Sequence, residues 1–274
     1  MMNKGYVDYL VTEHKSKRTI DTYVNYIEKA LAFIGKPDSE ITRIDLMNWQ
    51  NSISHLSANS INLQISAIKS YFGFLYEMDI INSNPAEKMK KLKNNPKVKP
   101  FISSDDISKM IAAAKSDRNK AIVCTLAMTG LRISELKSIR LDSYKANSNE
   151  IIIVGKGNKQ RKVYIPSIAQ KYINIYLENR TVNSEFLFCS RTGTEIDTNK
   201  VDDSIKRIAK NAGLDYWETM SAHCLRSAFC SNMLANNVPV NVVRDMMGHA
   251  SIATTNIYAK SSQEMVKNYM MMGY

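Results

Sequence analysis

Apolar residues recur at helical spacing through the first part of the chain. Tyr23, Tyr26, Ile27, Ala30, Leu31 and Ile34 fall on one stripe, and Ile61, Ile65, Ile68, Phe72 and Leu75 on another, at steps of three and four. Between them Thr42 is placed to cap a short helix carrying Leu46 and Trp49. The pattern predicts a small bundle of about four helices that ends at Asn84-Pro85. A different texture follows. Lys88, Lys90, Lys91, Lys93, Lys97 and Lys99 crowd a stretch that also holds Pro96 and Pro100 and few apolar residues. It reads as a solvated linker, and a linker so basic could also run along phosphates. The expected organisation is therefore a helical domain over 1–87, a basic linker over 88–100, and a second domain over 101–274.

The second domain reads as mainly helical with a little sheet. Ser103 and Asp106 have capping-box spacing ahead of Ile107, Met110 and Ile111. A helix over about 119–128 is punctuated by Gly130, and another carries Ile133, Leu136 and Ile139. The β-branched run Glu150 to Val154 and the shorter Lys162 to Ile165 predict a hairpin closed by the glycine-containing turn Gly155 to Arg161. Helices are expected around 169–177, 200–212, 225–236, 240–246 and 252–259. In the tail, Met265, Val266, Tyr269 and Met270 form one more apolar stripe, fit either to pack on its own domain or to dock on a neighbouring subunit.

Charge narrows the choice of partner. The 274 residues carry a formal net charge of +11, which favours an anionic partner without specifying a fold. No run of some 18 apolar residues is present and the start has no signal-peptide pattern, so no membrane partner and a cytoplasmic location are expected. Cys124, Cys189, Cys224 and Cys230 are dispersed and form no CxxC pair, which fits buried thiols better than zinc ligands.

Four segments carry chemistry in combination: TGLRISEL with Arg132 and Glu135, GKGNKQRK with Lys156, HCLR with His223 and Arg226, and MGHASIATTNIY with His249 and Tyr258. Singly each is unremarkable, since Tyr258 is one of fourteen tyrosines. Jointly they suit work on a phosphodiester without a metal. Guanidinium groups fork onto phosphate oxygens and stabilise the charge of a pentacoordinate transition state. A lysine can protonate a leaving oxygen, and a histidine can help take a proton from a nucleophile. A tyrosine hydroxyl, with an unperturbed pKa of about 10, needs such neighbours to attack at neutral pH.

These motifs, in this order, resemble those of the tyrosine recombinases, the family of Xer-type recombinases and phage integrases. The resemblance covers about Phe101 to Lys260. It implies a catalytic domain of the DNA breaking-rejoining type behind a SAM-like helical domain, and site-specific cleavage and rejoining through a 3′-phosphotyrosyl bond without ATP. By the same resemblance Arg132 and Arg226 clamp the scissile phosphate, and Lys156 is the general acid toward the 5′ hydroxyl. His223 assists proton transfer, His249 hydrogen-bonds the phosphate, Tyr258 is the nucleophile, and Glu135 buttresses Arg132 or a neighbouring histidine. No cofactor and no metal are implied. The partners implied are double-stranded DNA and further copies of the chain, four in the synapse. Met247 stands where the family has a leucine, a volume-conserving swap. Two other readings are a type IB-like topoisomerase and a DNA-binding regulator without chemistry. The acidic pairs Asp105-Asp106 and Asp202-Asp203 are expected at helix starts, as caps rather than metal ligands.

Overall fold

The structure is a computed structural model that describes residues 2, 3, 5–93, 100–145, 148–154 and 160–248. The turn holding Lys156 and the segment holding His249, Tyr258 and the tail stripe lie outside the described residues, as does the helix expected at 252–259. The chain forms two compact units, Met1–Val98 and Lys99–Tyr274.

Among its described residues the first unit holds four α-helices: α1 (Gly5–Thr12), α2 (Lys17–Ile34), α3 (Arg43–Ser52) and α4 (Ala58–Glu77). Caps fix their ends. Ser16, Thr42 and Ser57 each accept a backbone N–H of the first turn through the side chain, and Thr42 with Asp45 completes a capping box. Gly35 closes α2 at φ 68°, a left-handed turn suited to glycine. The apolar stripes meet in one core that includes Ile27, Leu31, Leu46, Trp49, Ile68, Phe72 and Leu75. α1 gives no apolar stripe long enough to predict it, yet its Tyr6 and Leu10 are fully buried in that core. Beyond α4 the chain stays on its own helix. Asn62 clamps Leu92 in both directions, at 3.0 and 2.7 Å, and Lys69 Nζ donates to the carbonyls of Glu87 and Met89.

The second unit is built around α6 (Asp117–Thr129), in which every residue from Ala121 to Ala127 is buried. A helix enclosed on nearly all sides has neighbours on several faces. Here these are α5 (Ser104–Ala113), α8 (Ser167–Asn179) and α10 (Ala222–Ala235). α7 (Ile133–Lys137), α9 (Thr198–Asn211) and α11 (Val240–Met247) complete the α-helices among the described residues. The expected capping box at α5 forms, with Ser103 N donating to Asp106 at 3.0 Å and Asp106 N to Ser103 Oγ at 3.1 Å. Asp202 does cap a helix, but not its own. It sits one turn into α9 and accepts the N–H of Ala222 at 2.7 Å, at the start of α10. All four cysteines are free, and burial pushes the Cys124 and Cys230 thiols up to about 12 and about 11.

The sheet has three antiparallel strands in the order β1 (Tyr144–Lys145), β2 (Glu150–Val154), β3 (Gln160–Tyr164). The hairpin was legible in the sequence, while the two-residue β1 was too short to give a periodicity. β3 starts at Gln160 rather than Lys162 and pairs Ile151 with Val163 and Ile153 with Arg161. Ile151, Ile153 and Val163 are buried, so the inward face of β3 carries Arg161 as well as Val163.

Gly130 ties α6 to α10. It ends α6 at φ 63°, and a Cβ there would lie 2.5 Å from Phe229 Cδ1 on α10. Gly130→Ala must adopt a left-handed backbone and displace that ring. A loss of about 2 kcal/mol or more in urea unfolding followed by fluorescence is expected; an unchanged midpoint would refute this account of the turn.

Candidate active site

The centre of the site is a carboxylate. Glu135 lies in the short helix α7, immediately after the Gly130 turn, and is 5% exposed. It accepts four hydrogen bonds: from Arg132 N at 2.8 Å, Arg132 Nη1 at 2.9 Å, Arg161 Nη1 at 2.9 Å and Arg161 Nη2 at 3.2 Å. A carboxylate offers about four lone-pair sites, so this one is saturated. Arg226 Nη1 stands a further 3.9 Å away. Burial drives the carboxyl upward, but the Arg161 hydrogen bonds, the Arg132 N–H and the Arg161 charge outweigh it. The result lies below the ordinary glutamate value. Glu135 is therefore an ionised structural anion and is not set up as a proton acceptor.

Around it the backbone supplies further acceptors. Arg226 is buried on α10 and donates to the carbonyls of Gly130 and Met247, the second at 2.7 Å. Arg132 Nη2 donates to Gly248 O at 3.1 Å. Met247 and Gly248 are the end of α11, where helical carbonyls lack partners and the helix dipole is negative. Both arginines are thus drawn to the same helix end. The Arg132 side chain stays 41% exposed, so its charge faces solvent while that of Arg226 is enclosed. Three guanidinium groups around one carboxylate leave two positive charges unbalanced, an arrangement suited to a phosphodiester.

His223 sits in the first turn of α10, one helical turn before Arg226 and exposed. The helix starts three residues earlier than the apolar pattern suggested, because Ser221 caps it by accepting Cys224 N. Arg132, Glu135 and Arg226 are thus brought together, and His223 shares the helix of Arg226. Lys156, His249 and Tyr258 lie outside the described residues, although Gly248 immediately precedes His249. Among the described residues no group of three or more His, Cys, Asp or Glu side chains could hold a metal, and no helix is long and apolar enough to cross a membrane.

Arg161 was not anticipated. It ends the segment Gly155 to Arg161, which in sequence reads only as a glycine-containing turn. The signal that could have found it is the alternation Arg161, Val163, Ile165, which puts an arginine in register with two core residues. Gly248 makes room for it. A Cβ on Gly248 would fall 2.7 Å from Arg161 Cζ, and Gly248 also holds φ 61°.

Comparison with known proteins gives the class. Residues 100–265 match the phage integrase family, and residues 4–81 match the phage integrase N-terminal SAM-like domain. Tyrosine recombinase XerA of Pyrococcus horikoshii is 31% identical over 261 residues, covering 93% of this chain and 87% of that protein. Tyrosine recombinase XerC of Lacticaseibacillus casei is 26% identical over 291 residues, covering 98% and 97%. A crystal structure of XerA recombinase aligns with a TM-score of 0.59 at 26% identity over 98% of this chain and 96% of that one. The fold is also that of XerH site-specific recombinase in a complex with its difH substrate, with a TM-score of 0.77 at 19% identity over 92% and 78%. The chain belongs to the phage integrase family. It is a tyrosine site-specific recombinase, and the topoisomerase and regulator readings are not favoured.

Glu135→Gln removes the anion from among three arginines, a change worth about 3 kcal/mol of stability. Because the folded carboxyl is depressed, its contribution is complete above the unfolded value of about 4.3 and is lost as pH falls through the folded value. Denaturation measured from pH 7 downward should show wild type losing its advantage over the variant in acid. Parallel curves would refute the assignment.

Proposed function

We propose that strand exchange by this recombinase runs through Tyr258. Its hydroxyl oxygen forms a bond to the scissile phosphorus as the bond from phosphorus to the 5′ oxygen breaks. Lys156 delivers the proton to that oxygen, and His223 assists removal of the tyrosine proton. Arg132 and Arg226 hold the non-bridging oxygens, His249 adds a hydrogen bond, and Glu135 keeps the arginines in place. The phosphotyrosyl link retains the energy of the broken diester, so a 5′ hydroxyl can reverse the step and reseal a strand without ATP. The observation that carries this reading is the convergence of Arg132 and Arg226 on the end of α11, one residue before His249 and ten before Tyr258.

The substrate is double-stranded DNA and the working unit several copies of the chain, four on two duplexes. The net charge of +11 supports an anionic partner, and solved relatives of the same fold are described as a lambda integrase dimer bound to a core site and XerH bound to difH. We assign DNA-binding to the helical region 1–87, the link to 88–100 and catalysis to 101–274, and place the activity in the cytoplasm.

Wild-type protein incubated with a nicked duplex pool of randomised sequence should give a protein–DNA adduct on a denaturing gel, and sequencing the adducts reports the site. Tyr258→Phe should give none. An adduct from Tyr258→Phe equal to wild type, or none from wild type, would sink the proposal. Arg226→Gln should slow adduct formation by roughly 10²–10³. Removal of Ser262–Tyr274 should leave adduct formation by the monomer intact and abolish multimeric complexes on DNA, seen by native gel.

A further inference from the structure

Arg161 holds a position that ordinary strand chemistry does not explain. It occupies the inward face of β3, opposite Ile153, and spends two guanidinium nitrogens on one buried carboxylate. Its Nε is buried and has no hydrogen-bond partner among the described residues, a cost that a surface arginine would avoid. Its guanidinium rests against Gly248, where no other residue leaves space.

The bond count at Glu135 suggests why. Of its four hydrogen bonds Arg161 takes two, the Arg132 main chain takes one, and the Arg132 side chain takes the last. Arg132 therefore cannot form a two-pronged pair with the carboxylate. Its Nη2 goes to Gly248 O instead, and its side chain remains largely exposed. Without Arg161, two acceptor sites on Glu135 open beside Arg132, and bidentate pairing would turn that guanidinium inward and neutralise it.

We propose that Arg161 is a positioning residue for strand cleavage, occupying Glu135 so that the charge of Arg132 stays available to the scissile phosphate. This rests on the reading that Arg132 holds that phosphate. Arg161 acts by competing with Arg132 for one anion.

The test is a double-mutant cycle on single-turnover adduct formation, with the full chain and the nicked random duplex pool at saturating concentration. Arg161→Gln should slow cleavage about tenfold or more. In a Glu135→Gln background, compared with Glu135→Gln alone, the same change should cost less than about threefold, because the competing anion is gone. A residue that merely supported the fold would show the same loss in both backgrounds, and that result overturns the inference, as does wild-type cleavage by Arg161→Gln. Thermal melts report whether Arg161→Gln folds. If it does not, Arg161→Lys enters the same cycle, since it keeps the charge but lacks the fork, and its loss should likewise shrink in Glu135→Gln. Failure of the underlying reading shows separately. If Arg132→Gln cleaves the pool as fast as wild type, the phosphate assignment fails; if Arg132→Gln is slow and Arg161→Gln is not, only the role of Arg161 fails.

Discussion

One buried carboxylate organises the second unit. Cationic side chains repel one another, and enclosing Arg226 in the interior is unfavourable unless an anion or aligned dipoles compensate it. Glu135 supplies the anion and saturates itself in doing so. The carbonyl end of α11 supplies the dipoles. Remove either, and the arginines have no reason to share a site. The surrounding fold can be read as the means of delivering these groups to one point. The Gly130 turn presents Arg132 and Glu135, α10 presents Arg226, β3 presents Arg161, and α11 brings its carbonyl end.

Unequal exposure divides the labour among the three guanidinium groups. Arg226 is enclosed and fixed by main-chain oxygens, which makes it a rigid point of reference. Arg132 also donates two side-chain hydrogen bonds but reaches solvent. Arg161 is spent on the glutamate. With Arg161 spent on the carboxylate, the uncompensated positive charge falls to Arg132 and Arg226, the two residues proposed to hold the phosphodiester.

Much of this was legible in the sequence, for identifiable reasons. Thr42, Ser103 and Gly130 gave sharp signals because capping and left-handed turns demand particular residue types. The stripe of α4 gave another, because a helix buried on one face repeats every three to four residues. The motif residues Arg132, Glu135, His223 and Arg226 stood out by combination. What escaped notice was encoded non-locally. β1 has two residues and no periodicity. α1 is short, and its two anchors Tyr6 and Leu10 form only one turn of pattern. The start of α10 was set by Ser221 and by Asp202 from the preceding helix, a cap supplied from 20 residues away in sequence. Arg161 ends a segment that reads as a turn, its inward direction is set only by the strand register, and its partner Glu135 lies 26 residues earlier.

Gly130, Met247 and Gly248 contribute to the site through their carbonyl oxygens. A main-chain oxygen is present whatever side chain the residue carries. Drift at position 247 among apolar residues of similar size therefore leaves the ligand of Arg226 untouched, which is consistent with a methionine standing there. The vulnerable property is backbone shape. Gly130 and Gly248 both need left-handed φ and both adjoin a side chain that forbids a Cβ. Over evolutionary time such a site should tolerate change in the walls that hold its arginines and tolerate almost none at its two glycines.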